Sequence, residues 1–193
     1  MDLALQIWGG GCYLANKILF AVSEGKNQEL KRRLKLWGWI VYILGVPAWV
    51  IILLGKQNWI AASIEAGGVP SMFLGLYTVY RCSESPDKCL DRIASFFTYG
   101  SLVLGVSYSI HDYGGITSFS QVLEMGVMMG FLLGSYLLAK NKRQGWLFFM
   151  LMNGSMATLM LVQNKPLLAV QQIASLGFVI YGFMASGRVK AIQ

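Results

Sequence analysis

Histidine occurs once in this 193-residue chain and cysteine three times. His111 lies far from Cys12, Cys82 and Cys89, and the set has none of the spacings that build a metal site, so no metal is expected. Acids are also scarce: nine Asp and Glu against sixteen Lys and Arg. His111-Asp112 is the single histidine–acid pair, and no nucleophile or further ligand clusters with it. Asp112-Tyr113-Gly114-Gly115 reads instead as a turn. There is no glycine-rich phosphate loop. The chain is therefore not expected to be an enzyme or to hold a cofactor. It also lacks any polar stretch long enough for a soluble domain, and no basic-aromatic patch of a nucleic-acid module is present.

What fills the chain is apolar. Mean hydropathy is +0.54 with 55% hydrophobic residues. Seven apolar segments lie near 2–22, 36–55, 59–80, 92–110, 119–139, 145–163 and 166–187. About 20 helical residues cross the hydrocarbon core of a bilayer, so each segment is long enough to span it. The expected fold is an all-α integral membrane protein.

Thirteen basic residues fall in alternate connections: Lys26, Lys31, Arg32, Arg33 and Lys35; Arg81, Lys88 and Arg92; Lys140, Lys142 and Arg143; and Arg188 and Lys190. The other connections carry only Lys56 and Lys165. Basic loops stay cytoplasmic, which predicts a multi-pass inner (plasma) membrane protein with its N-terminus outside and its C-terminus cytoplasmic. The net charge of +7 follows from this bias and from anionic headgroups. Met1-Asp2-Leu3 places an acid where a signal peptide carries positive charge, so the first segment is expected to be a retained helix. Cys82 and Cys89 fall on the reducing side.

Helix starts are marked locally. Ser85-Pro86-Asp87 predicts a start near 86 for the fourth helix, Ser118 and Gln121 have capping-box spacing, and Asn164-Lys165-Pro166 reads as a tight turn. Laid without gaps, 38–81 matches 145–188 at a constant offset of 107, with seven identities in 44 positions: Gly38/Gly145, Trp39/Trp146, Leu44/Leu151, Leu54/Leu161, Ala62/Ala169, Gly75/Gly182 and Arg81/Arg188. Pro47 faces Gly154 and Pro70 faces Gly177, four positions where a membrane helix can bend and which are candidate hinges. With the first and fifth segments added, the chain reads as two parallel three-helix bundles, 1–81 and 118–193, joined by a linker helix with its flanking loops, 82–117. This 3+1+3 plan of parallel repeats is a transporter architecture with substrate near the midplane.

Polar groups in hydrocarbon are costly and mark pathways. Glu65 and Glu124 lie in the outer parts of the third and fifth segments, Gln121 one turn from Glu124, and Gln172, beside Gln171, is the repeat mate of Glu65. Asn153 is central in the sixth. Lys17 and Asn16 lie near the cytoplasmic end of the first, where Lys17 is expected to snorkel to the interface. Aromatics on the second segment (Trp39, Tyr42, Trp49) and a Trp146, Phe149, Asn153 stripe on one face of the sixth suit a planar ring with hydrogen-bonding substituents. Nearby carboxylates favour a cationic ring.

Residues Gly145 to Asn153, Gly-Trp-Leu-Phe-Phe-Met-Leu-Met-Asn, resemble the Trp-x-x-Trp-x-x-x-Asn/Asp signature in the sixth helix of PnuC transporters, which carry nicotinamide riboside. Lys142 to Arg188, with Ile180-Tyr181-Gly182-Phe183, is similar to that family's last two helices. The resemblance implies facilitated diffusion by alternating access without ion coupling, with a cytoplasmic kinase trapping the vitamin. It also implies ligand contact at Trp146 and Asn153. Phe149 stands where the family has its second tryptophan, keeping a stacking surface and losing an N–H donor. Relatives of PnuC are associated with thiamine and riboflavin. Homo-oligomer formation is an expectation by analogy. The alternatives are a SWEET-type sugar transporter, which shares the seven-helix plan but carries prolines in its paired helices, and a non-transporting membrane vitamin sensor.

Overall fold

The computed structural model describes residues 2–83 and 85–190, without the side chains of Asp2 and residues 188–190. Met1, Glu84 and residues 191–193, counted above in the first bundle, the linker and the second bundle, lie outside the described residues, as do the side chains of Arg188 in the repeat and Lys190 among the basic residues. The described chain is all helix and turn: α1 Asp2–Ser23, α2 Gln28–Gly55, α3 Trp59–Gly67, α4 Val69–Tyr80, α5 Lys88–Tyr113, α6 Phe119–Ala139, α7 Gln144–Val162 and α8 Pro166–Lys190. Six spans, 28–55, 59–80, 88–113, 119–139, 144–162 and 166–187, are long and apolar enough to cross a membrane. α1 has the length, at 22 residues, but is not among the six. Asn16 and Lys17 interrupt its apolar run, and the fold buries both. These are the features of a multi-pass membrane protein. Phe96, Val103 and Leu104 on α5 and Leu167 and Val170 on α8 face outward, as lipid-facing positions do.

The third segment is two helices rather than one. Pro70 sits in the first turn of α4 and has no N–H to return to the carbonyl four residues back. The Gly68 amide turns to Glu65 O at 3.3 Å. Gly67 and Gly68 make room at this break: a Cβ on Gly68 would lie 2.6 Å from the Phe131 ring, and one on Gly67 would strike Ser101. α2, α7 and α8 run unbroken through Pro47, Gly154 and Gly177, so Gly68–Pro70 is the one candidate hinge at which a described helix is interrupted.

The connections use the expected chemistry with one shift. Ser118 accepts from the Gln121 amide at 3.1 Å and caps α6. α5 starts at Lys88, later than the sequence suggests, because Asp87 is itself the cap, accepting from Cys89 N and Leu90 N. Its carboxylate outcompetes the weaker Ser85 hydroxyl for the first amides. Gln57 and Asn164, 107 positions apart, both have left-handed backbone (φ 57° and 56°) in the turns before α3 and α8.

α1 packs on α2, α2 on α3 and α4, α6 on α7, and α7 on α8; α1 also meets α8, and α3 and α4 meet α6. α5 lies against α3, α4 and α6. Two facing pairs, α1 with α7 and α2 with α6, make no close backbone approach among the described residues. Side chains bridge that central gap.

Candidate functional site

In an α-helix each side chain leans toward the N-terminus, and residues four apart share a face. On α1 this carries the Lys17 side chain back along Tyr13. The Lys17 ammonium lies 5.5 Å from the centre of the Tyr13 ring, 6.0 Å from that of Tyr42 on α2 and 5.6 Å from that of Phe149 on α7. Its one hydrogen bond is long, 3.4 Å to the Tyr13 carbonyl. Lys17 is 2% exposed and has no acid within ion-pair distance among the described residues. The expected snorkelling therefore does not occur. The face of α1 that carries Lys17 turns into the central gap, so the ammonium is screened by rings instead of reaching the interface.

Tyr42 is the hub of this cluster and fully buried. Tyr13 meets it edge-on at 5.0 Å, Phe131 and Phe149 edge-on at 6.3 Å each, and Trp39 stacks on it at 6.2 Å. Its hydroxyl shares a 3.1 Å hydrogen bond with Ser135 Oγ on α6. Edge-to-face contacts of this kind add about 0.5–1.5 kcal/mol each beyond burial. The Tyr13 hydroxyl donates to Glu65 Oε1, so a carboxyl group sits behind one wall of the ring box.

Three buried polar atoms near these residues in the chain make no hydrogen bond among the described residues: Asn153 Oδ1, Asn16 Oδ1 and Trp49 Nε1. Asn153 Nδ2 donates to the Phe149 carbonyl at 2.6 Å and Asn16 Nδ2 to the Gly38 carbonyl at 3.0 Å. Each amide is thus anchored through its nitrogen with its oxygen unused. Buried polar atoms are rarely left without a partner, and each one calls for an explanation.

The fold gathers Tyr42, Phe149 and Glu65 around Tyr13 and Lys17, with Trp49 tilted against Tyr13 at 6.3 Å. Asn153 is one turn along α7 from Phe149. Trp146 is buried but packs over Gly182 of α8, as Trp39 packs over Gly75 of α4. Gln171 donates to the Gly10 carbonyl at 3.0 Å, tying α8 to α1, and Gln172 is half-buried beside it. Gln121 is fully engaged in the α5–α6 connection. It donates to the carbonyls of Ser109 and Gly115 and accepts from Thr117 N. Glu124 is exposed on α6, away from the cluster.

Sequence reasoning missed Tyr13, Asn16, Lys17 and Ser135 as a site. The available signal was the i, i+3, i+4 spacing of Tyr13, Asn16 and Lys17, which places all three on one face. Ser135, a small hydroxyl in a largely apolar run, carried none.

In the α1–α2 connection Glu24 is 7% exposed and pairs with Lys31 at 2.7 Å and Lys35 at 3.1 Å. Burial acts to raise its carboxyl, but the ammonium charges of Lys35 and Lys31 outweigh it and hold the group below its ordinary range. Lys140 pairs with Asp91 at 2.8 Å, joining α5 to the end of α6. No family model, curated protein or solved structure matches this chain.

Proposed function

We propose that this chain is a membrane transporter that moves a small, water-soluble aromatic cation of the vitamin class by facilitated diffusion, with nicotinamide riboside the first candidate. The observation that carries the reading is the box of Tyr13, Tyr42 and Phe149 closed on an ammonium in the middle of the bundle. Ring faces attract cations through their quadrupole, by up to about 2 kcal/mol each once water is excluded. The same box accepts a planar pyridinium, and the unused Asn153 and Asn16 oxygens would take hydrogen bonds from a carboxamide or sugar hydroxyls. Glu65 lies behind Tyr13, accepting a hydrogen bond from its hydroxyl.

A 3+1+3 plan of parallel repeats is the architecture we assign. Several paired features support it. α1 lies beside α8 as α6 lies beside α3 and α4. Trp39 rests on Gly75 and Trp146 on Gly182, with each residue 107 positions from its mate. Gln57 and Asn164 adopt the same left-handed turn. Under this plan the box lies between the two halves, where alternating access needs the substrate. The break at Gly68–Pro70 is the hinge, the N-terminus is outside, and the membrane is the inner (plasma) membrane. A cytoplasmic kinase that phosphorylates the incoming vitamin would make diffusion one-way.

Uptake of labelled nicotinamide riboside into proteoliposomes, with thiamine, riboflavin and glucose as competitors, tests the proposal. Binding without flux would point to a sensor, and competition by glucose to a sugar carrier.

A further inference from the structure

A site built for a cation faces a difficulty when it is empty. In a carrier that works by facilitated diffusion, the unloaded protein must return through the same closed form as the loaded one. An unfilled box of ring faces would leave that form without the cation its faces attract. In the structure the box is filled, and the filler belongs to the chain itself.

We propose that the Lys17 ammonium is a tethered occupant of the cation seat, filling the box of Tyr13, Tyr42 and Phe149 in the unloaded carrier and leaving it when a cationic substrate enters. The inference rests on the transporter reading and deepens it. Lys17 is held by ring faces rather than by an ion pair. The long contact to the Tyr13 carbonyl is its one directed bond, and two of its three donors have no partner among the described residues. A flexible four-carbon stem allows the ammonium to swing out without moving the helix. Two cations in one water-poor box repel each other strongly, so the substrate's charge and that of Lys17 exclude each other there.

The arithmetic is that of a partly blocked site: apparent affinity falls by the fraction of time the seat is free. If Lys17 fills it roughly nine-tenths of the time, removing the ammonium tightens binding of a cation about tenfold. A neutral ligand of the same shape gains by the same factor from the vacated seat, and a cation gains further because the repulsion from Lys17 is gone.

Two measurements on the full-length purified protein test this. The first needs no substrate. In Lys17→Ala, n-butylammonium is expected to raise the thermal midpoint while n-butanol does not, and neither should shift the wild type. Equal effects of the two compounds on Lys17→Ala, or none, would overturn the seat. The second compares Lys17→Met with wild type for binding of nicotinamide riboside, a cation, and of its uncharged dihydro form. The expected result is tighter binding of both ligands in Lys17→Met, about tenfold for the uncharged form, and a larger gain for the cation that raises the cation-to-neutral affinity ratio, with Lys17→Arg close to wild type. An unchanged or lowered ratio would overturn the proposal, and a lowered one would mean that the ammonium serves an anionic group. If neither riboside binds any variant while butylammonium still stabilises Lys17→Ala selectively, the choice of vitamin fails and the tethered seat stands.

Discussion

Tyr42 and Phe149 meet edge to face at the centre of the bundle, ring centres 6.3 Å apart and planes at 79°, and they are separated by the same 107 positions that relate Trp39 to Trp146 and Gly75 to Gly182. Residues at matching places in two halves touch each other only near the axis that relates those halves. Beside this pair lies the Lys17 ammonium, 5.6 Å from the centre of the Phe149 ring. Under the proposed plan the axis between the two halves therefore runs beside the proposed cation site.

The paired tryptophan–glycine contacts carry a prediction for stability. A Cβ on Gly75 would strike the Trp39 indole, and one on Gly182 the Trp146 indole. Overpacking of this kind costs about 1–3 kcal/mol. Gly75→Ala and Gly182→Ala are each expected to lower the thermal midpoint of the detergent-solubilised protein. Gly154→Ala is expected to be neutral or stabilising, since nothing lies within contact of its Cβ. Unchanged midpoints for the first two would contradict the packing.

The Glu24 cluster predicts a dependence on pH. The carboxyl is held below its ordinary range in the folded protein by Lys35 and Lys31. A depressed carboxyl contributes stability above its unfolded value, and that contribution is lost as pH falls through the folded one. Thermal midpoints should therefore drop on the acid side of the ordinary carboxylate range, about pH 4 and below. Glu24→Gln should be less stable at neutral pH and show a flatter acid limb. A limb identical to wild type would remove Glu24 as its source.

The break before Pro70 predicts an effect on rate. Pro70→Ala restores an N–H that can bond to the Ala66 carbonyl and fuse α3 with α4 into one continuous helix. If the break is the hinge, transport should slow several-fold while substrate affinity changes little. Unchanged transport rates would count against a hinge there.

Much of the fold is legible in one dimension, because a bilayer demands long apolar runs and satisfied helix backbones. The spans, the Ser118 cap and the turn at Asn164 follow from local residue chemistry. Depth along a helix can be read this way, but rotation about its axis cannot. Lys17 sits near a helix end, where a long basic side chain ordinarily reaches the interface. Its burial depends on which face of α1 meets α2 and α8; the spacing of Tyr13, Asn16 and Lys17 marks a polar face, and only the packing turns that face inward. Gln121 shows the converse: a polar residue at pathway depth whose amide is consumed by the carbonyls of Ser109 and Gly115. Phe149 and Tyr42 were legible as aromatics on the right segments, and only the packing brings them to a single cation.

The most direct test of the central claim is uptake of labelled nicotinamide riboside by proteoliposomes containing wild type or Asn153→Ala. Asn153 bonds through its nitrogen to a carbonyl within its own helix and leaves Oδ1 unpaired, so its removal should cost little stability, about 1 kcal/mol or less. The account predicts saturable uptake without an ion gradient by wild type and its loss in a folded Asn153→Ala. No uptake by wild type, or uptake undiminished in the variant, would contradict it.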